Sequence, residues 1–276
     1  MLSNLHTHCC FCDGVGRPEE YVAKALEKGF AALGFSSHSP VPFANSWSMS
    51  EKTAEDYLKT IDCLKDRYKN SIQIYKGMEI DYLSGDAKGF FQRYDLDYTI
   101  GSVHYISIPG KKKYYSIDGK LEHFVKTLHE CSGSSIEKLV SRYYETVLEM
   151  LANNSIDILG HLDLVKKNNS GNRFFSEKEQ WYISLVKNVV KKIACYDVVV
   201  EINTGGIARG YMDDVYPSEW IIRECKKCEI PVALCSDAHA PENIDSYFEE
   251  AKGIMRSAGY NEIWGLNNGR WVKNRF

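Results

Sequence analysis

The chain has 276 residues, of which 44% are hydrophobic and 26% charged, with a formal net charge of -3. That is an ordinary globular composition, long enough to bury a sizeable core and without a polybasic surface for nucleic acid or an anionic membrane. No apolar stretch approaches the about 18 residues needed to span a bilayer, and no leader pattern is expected. Nine cysteines, an odd number in a long chain, predict reduced thiols in a cytoplasmic setting rather than a disulfide framework.

In chain order, short apolar runs predict strands at Leu2–Leu5, Ala31–Phe35, Ile72–Lys76, Tyr98–Ile100, Ile156–Leu159, Val198–Ile202 and Val232–Leu234. Helical periodicity fills most of the intervals: Pro18–Lys28, with Pro at its first turn and Gly29 beyond its end, Ser50–Tyr68, Ile136–Ala152, Ser176–Ala194, Pro217–Cys228 and Ser246–Ala258. Strand and helix alternate throughout, with no linker or low-complexity tract. This predicts a mainly parallel sheet in one domain covering residues 1–276, and seven such units suit a closed or nearly closed barrel. Lys111–Tyr115 reads equally as part of a lid or as a charged surface hairpin.

Six of the eight histidines fall just after a predicted strand. His6 and His8 follow the first, His38 the second, His104 the fourth, His161 the fifth and His239 the seventh. Glu79, Asp237 and the pair Glu201 and Asn203 hold comparable places. One histidine at a strand end is an ordinary structural residue. Donors recurring at one end of nearly every strand predict a metal centre, because those ends meet on one face of a parallel barrel. His-x-His adds a local reason: residues i and i+2 of an extended strand share a face about 6–7 Å apart. Imidazole with carboxylate suits zinc, iron(II) or manganese, and a bridging carboxylate suits two close ions. Cys9, Cys10 and Cys12 with Cys225 and Cys228 imitate a four-thiolate zinc site, but the second pair lies in a helical segment, so buried or unpaired thiols are expected. His123 and His129, in a helical segment, are read as structural or surface residues.

These motifs carry a family resemblance. HTH at 6–8, CDG at 12–14, EE at 19–20, SHSP at 37–40, GMEID at 77–81 and SDAH at 236–239 resemble the polymerase-and-histidinol-phosphatase (PHP) family of metal-dependent phosphoesterases. GSVHY at 101–105, GHLDLVKK at 160–167 and NTGG at 203–206 with VYP at 215–217 are similar to its histidinol-phosphate phosphatase branch. The resemblance implies a distorted (β/α)7 TIM-like barrel, a cluster of two or three divalent ions, and hydrolysis of L-histidinol phosphate by metal-activated water in histidine biosynthesis. The alternative within the family is another small phosphate monoester or a nucleotide.

Carried over by position, the resemblance implies a first metal on His6, His8, Glu79 and Asp237, and a second sharing Glu79 with His104 and His161. A third would use His38, His239 and a loop residue that is often histidine in relatives, for which Asp13 is the candidate here. Glu79 and His104 are thereby implied in catalysis, with Asp163 as a candidate leaving-group acid or ligand orienter. Arg209 is the first choice for phosphate binding, ahead of Arg17 and Lys166. Ser37 replaces an aspartate common beside this histidine in relatives, which implies a weaker hold on His38. The expected partner is a small phosphorylated substrate. A non-catalytic module and a structural zinc protein are the competing classes; no polymerase region supports the first, and a structural site would close every position to water.

Overall fold

Strands β1 (Ser3–Asn4), β2 (Ala32–Phe35), β3 (Gln73–Asp81) and β4 (Tyr98–Ser102) lie side by side, each parallel to the next. The sheet continues through β7 (Ile158–Leu159), β8 (Val199–Asn203) and β9 (Val232–Cys235), again parallel. The computed structural model describes residues 2–84, 93–108 and 113–276. The seven-stranded sheet curls until its two edges meet. A parallel bridge between Thr7 and Ala238 joins them, with the His8 amide donating to the Ala238 carbonyl at 2.8 Å. The result is a nearly closed barrel, as the repeat of strand and helix predicted.

Helices α1 (Pro18–Glu27), α2 (Glu51–Tyr68), α4 (Ile136–Asn153), α5 (Gln180–Ile193), α7 (Glu219–Lys227) and α8 (Phe248–Ser257) lie outside the strands. Their starts follow local chemistry. Ser50 and Ser135 cap α2 and α4 by accepting from the amides of Thr53 and Lys138. On α4, Leu139, Tyr143, Val147, Met150 and Leu151 recur at helical spacing and are all buried. Two further helices, α3 (Leu121–Ser132) and α6 (Gly205–Ala208), stand in loops on the site side of the barrel. Among the described residues no helix is long and apolar enough to cross a membrane.

Three differences from the sequence reading have physical causes. β3 runs five residues past the expected Lys76, and β4 runs to Ser102 instead of Ile100. A search for apolar runs ends a strand where its inward face turns polar, and that is where the functional residues begin. The hairpin β5 (Tyr105–Ser107) with β6 (Tyr114–Ser116) uses the segment left open between lid and hairpin; Lys111 lies outside the described residues. Hairpin β10 (Glu262–Asn267) with β11 (Arg270–Arg275) was not anticipated. It closes the bottom of the barrel, where Leu266, Trp264 and Trp271 pack on Leu5, Tyr75, Tyr98, Ile158 and Val199.

Period-two alternation then divides the barrel lumen into two halves. On β3 the inward residues are Tyr75, Gly77, Glu79 and Asp81; on β4 they are Tyr98, Ile100, Ser102 and then His104. The lower ones join the apolar plug, while the upper ones are polar and buried. Tyr98 spans the boundary by donating to the carbonyls of Leu5 and Phe35. Its ring lies where a Cβ on Gly77 or Gly34 would be. Gly77→Ala is therefore expected to cost about 1–3 kcal/mol through overpacking. Urea unfolding followed by circular dichroism should show a lower midpoint at an unchanged slope; an unchanged midpoint would mean that Tyr98 moves freely.

Candidate metal centre

The C-terminal strand ends bring His6, His8, Glu79 and Asp237 together, although they come from both ends and the middle of the chain. His6 Nε2 is 3.3 Å from Glu79 Oε2 and 3.6 Å from Asp237 Oδ1. His8 Nε2 is 3.4 Å from the same Glu79 oxygen and 3.3 Å from the same Asp237 oxygen. The two Nε2 atoms are 3.1 Å apart. Glu79 Oε1 faces the other way, 2.9 Å from His161 Nε2 and 3.6 Å from His104 Nε2. A third group sits at the rim: Asp13 Oδ1 is 3.3 Å from His239 Nε2 and 3.8 Å from both His38 Nε2 and His8 Nδ1. His8 thus stands between the first group and the third.

Buried carboxylates orient these rings from behind. His6 Nδ1–H donates to Glu201 Oε1 at 2.5 Å, and the other Glu201 oxygen accepts from the His161 amide and from Asn203. His104 Nδ1–H donates to Asp81 Oδ1 at 2.6 Å. Ser102 donates to Glu79 Oε1 at 2.6 Å. The bonds to His6 and His104 turn each ring's Nε2 toward the centre and strengthen it as a donor. Ser37 makes no such contact with His38; its hydroxyl lies 3.4 Å from Cys9 Sγ.

Electrostatics follow from burial against charge. Burial opposes ionisation of Glu79, but His38, His6 and His104 hold its carboxyl well below the usual range. Asp237 is likewise held down against burial, by Arg209 first and then His6. For His6, burial is outweighed by Glu201, Asp237 and Glu79, which raise it well above an ordinary imidazole. His104 is pushed up to about 10, because Asp81 and Glu79 outweigh burial. His8 goes the other way: burial, His239 and His38 lower it to about 3. With no cation bound, the site therefore gathers ionised carboxylates, imidazoles at His6 and His104 that hold their protons, and a neutral imidazole at His8.

Such a donor set fits divalent cations. Metal–ligand bonds of about 2.1 Å in a tetrahedron place neighbouring donors about 3.4 Å apart. The separations measured among His6, His8, Glu79 and Asp237 straddle that value. Without a cation, the two carboxylates are balanced by protons on the neighbouring imidazoles, above all His6, and a divalent cation would take the place of those protons. The donors of His38, Glu79 and His104, and those of His8, Asp13, His38 and His239, also form compact groups within 4.8 Å. Cys12 Sγ lies 3.4 Å from His8 Nδ1, but burial pushes its thiol up to about 11, so it is a protonated neighbour. All nine cysteines are unpaired.

The cluster forms the floor of a cavity of about 630 Å³. Arg209 lines it, its Nη2 donating to Asp237 Oδ2 at 2.8 Å and its Nη1 to the Asp237 carbonyl at 2.9 Å. The structure does not bring three expected residues there. Arg17 projects into solvent at the start of α1, with its side chain 76% exposed and beside Glu20. Lys166 is buried, bound to Asp163 at 2.8 Å, the Val215 carbonyl and Ser218, and so has no donor left for a phosphate. Asp163 is its partner, buried and raised by that burial, and it is likewise absent from the cavity wall.

The chain turns at His161 so that the ring faces Glu79 while Asp163, two residues on, points into the packing around α7. Sequence reasoning missed Asp118 and Lys167, which do line the cavity and pair at 3.3 Å. Asp118 follows a hairpin, a position without the strand-end signal that marked the other residues.

Comparisons with known proteins find relatives over most of the chain. A family model described as the PHP domain matches residues 4–205. The chain is 27% identical to the histidinol-phosphatase of Bacillus subtilis (strain 168) over 264 residues, covering 88% of this chain and 96% of that relative. The crystal structure of hisK from Listeria monocytogenes matches with a TM-score of 0.82 at 23% identity, over 90% of this chain and 99% of that one. The histidinol phosphate phosphatase of Lactococcus lactis subsp. lactis, solved with zinc, L-histidinol and phosphate, matches with a TM-score of 0.72 at 19% identity, over 98% of each chain.

Because Glu201 positions both His6 and His161, Glu201→Gln is expected to weaken cation binding about 10–100-fold while every Nε2 donor is retained. Competition against a chromophoric chelator measures this directly. Wild-type affinity in the variant would show that the hydrogen bond to His6 does not shape the site.

Proposed function

The chain belongs to the PHP domain family, and from that membership we propose that it is a metal-dependent phosphomonoesterase that hydrolyses L-histidinol phosphate to L-histidinol and inorganic phosphate. The observation that carries the reading is the buried nest of five imidazoles and two carboxylates centred on Glu79, floored beneath a cavity that Arg209 and Asp118 also line. Similarity to the Bacillus histidinol-phosphatase extends over nearly its whole length, which supports the substrate and supports residues 1–276 as one metallophosphoesterase domain.

In this reading a first cation would be held by His6, His8, Glu79 and Asp237, a second by Glu79, His104 and His161, and a third by Asp13, His38 and His239. Two or three zinc, iron(II) or manganese ions suit these donors. When bound, such ions polarise phosphoryl oxygens and lower the pKa of coordinated water.

The chain's own residues do the rest. Arg209 presents a planar fork held in place by Asp237, which suits it to two phosphoryl oxygens. Asp237 also keeps the guanidinium charged by raising its pKa further. Glu79 spans both halves of the centre, so it aligns the groups that meet the phosphoryl oxygens. Asp118 is kept ionised, against burial, by Lys167 and His104. That makes it a poor acid and a good acceptor for the substrate's ammonium group. Trp47, Tyr211 and Tyr216 provide aromatic wall for an imidazole ring. With its nine unpaired thiols, the protein is suited to the reducing cytoplasm.

Phosphate release from a panel of monoesters, with metal-replete protein, tests the reading. L-histidinol phosphate is expected to have the highest kcat/KM; equal rates on sugar phosphates and nucleotides would replace it with a broader phosphatase. Glu79→Ala should lower kcat at least about 10²-fold, since it removes a donor from both halves of the centre. Arg209→Ala should instead raise KM about 10–100-fold with the metals retained, as expected for the loss of a charged hydrogen-bonding fork. Unchanged kinetics in the arginine variant would remove it from phosphate binding.

A further inference from the structure

Beside the metal cavity lies a second one of about 550 Å³, and its wall has a different character. Phe43, Tyr105, Tyr114 and Tyr115 line it with aromatic surface, and Lys113 and Lys126 supply positive charge. Among the described residues its lining contains no carboxylate. The metal cavity, by contrast, is lined by Asp13, Glu79, Asp118 and Asp237. The Lys113 ammonium lies 4.8 Å above the Tyr115 ring, and neither lysine forms an ion pair among the described residues. Two exposed ammonium groups with no counter-ion among the described residues, beside several ring faces, form a complementary surface for a flat anion.

On the function proposed above, L-histidinol phosphate would not use this space: its phosphate would sit at the metal-binding donors, and its positively charged organic part would be repelled by the lysines.

We propose that this second cavity is a binding site for a small aromatic anion, a flat ring bearing a carboxylate, distinct from the metal centre. The ring would lie against Phe43 and Tyr114, whose centroids are 5.6 Å apart, with its anionic end toward Lys113 and Lys126. Tyr105 forms the partition. On one side it meets Phe43 edge-on at 5.1 Å; on the other it stacks on Trp47 at 5.9 Å, and Trp47 in turn packs on His38 at 4.8 Å. Ser116, in the shared wall, donates to Asp118 at 3.2 Å. An occupant therefore presses on the hairpin that separates it from the catalytic residues.

Calorimetric titration of the metal-replete protein with 2-naphthoate tests the assignment. The expected result is one binding site per chain, with 2-naphthylmethylamine and cyclohexanecarboxylate each binding at least about tenfold more weakly. The double variant Lys113→Glu with Lys126→Glu should weaken naphthoate by about tenfold or more, and Phe43→Ala should weaken it similarly. The double variant should keep its turnover of L-histidinol phosphate, or of whichever monoester the panel selects, showing that fold and metals are intact. Saturating inorganic phosphate should leave the naphthoate affinity unchanged. Displacement by phosphate, equal binding to the double variant, or no binding to the wild type would each overturn the proposal.

Discussion

One carboxylate organises the upper half of the barrel. Glu79 is buried at the lumen's centre, with Oε2 turned to His6, His8 and His38 and Oε1 turned to His104 and His161. Burying an ionised carboxylate is costly unless positive charge and hydrogen bonds surround it. Five imidazoles and the Ser102 hydroxyl supply part of that compensation, and divalent cations would supply the rest. The requirement also reaches downward. Glu79 stands near the upper end of the long strand β3, and Gly77 beneath it leaves the room in which Tyr98 crosses the lumen.

The same strands serve stability and chemistry by dividing their length. Their lower inward residues join the plug under the β10–β11 hairpin, and their upper ones carry donors. Among the upper residues, Asp81, Glu201 and Asn203 are buried polar side chains that touch the donors rather than the solvent. Such a layer is expensive to bury, and its value lies in fixing ring orientation. The aromatic partition at Trp47 and Tyr105 plays a comparable part at the rim, where it separates a cavity of mixed charge from one that carries only cations.

Much of this was legible in the sequence. The alternation of short apolar runs with helical periods gave the barrel, and histidines recurring at strand ends marked the face on which they converge. What escaped notice did so for physical reasons. The upper part of β3 reads as loop because its inward positions are glycine and carboxylates, not aliphatic residues. Lys166 looks free in a sequence, but packing pairs it with Asp163 and closes both off. Asp118 and Lys167 are far apart in the chain and meet only in three dimensions, and neither lies in a periodic pattern. The plugging hairpin has strong strand composition in Trp264, Leu266 and Val272, yet it belongs to no strand–helix repeat and so was passed over.

The closure of the barrel has a consequence for its assembly. First and last strands are stitched at the rim by Thr7 and Ala238, residues flanked by His6, His8, Asp237 and His239. As the polypeptide leaves the ribosome, His6 and His8 emerge early and wait for nearly the entire remainder of the chain before their companions appear. Bringing such remote segments together carries a large loop-closure cost, recovered only when the final contacts form. A cation bound across that junction would act as a clasp, linking metal supply to completion of the fold.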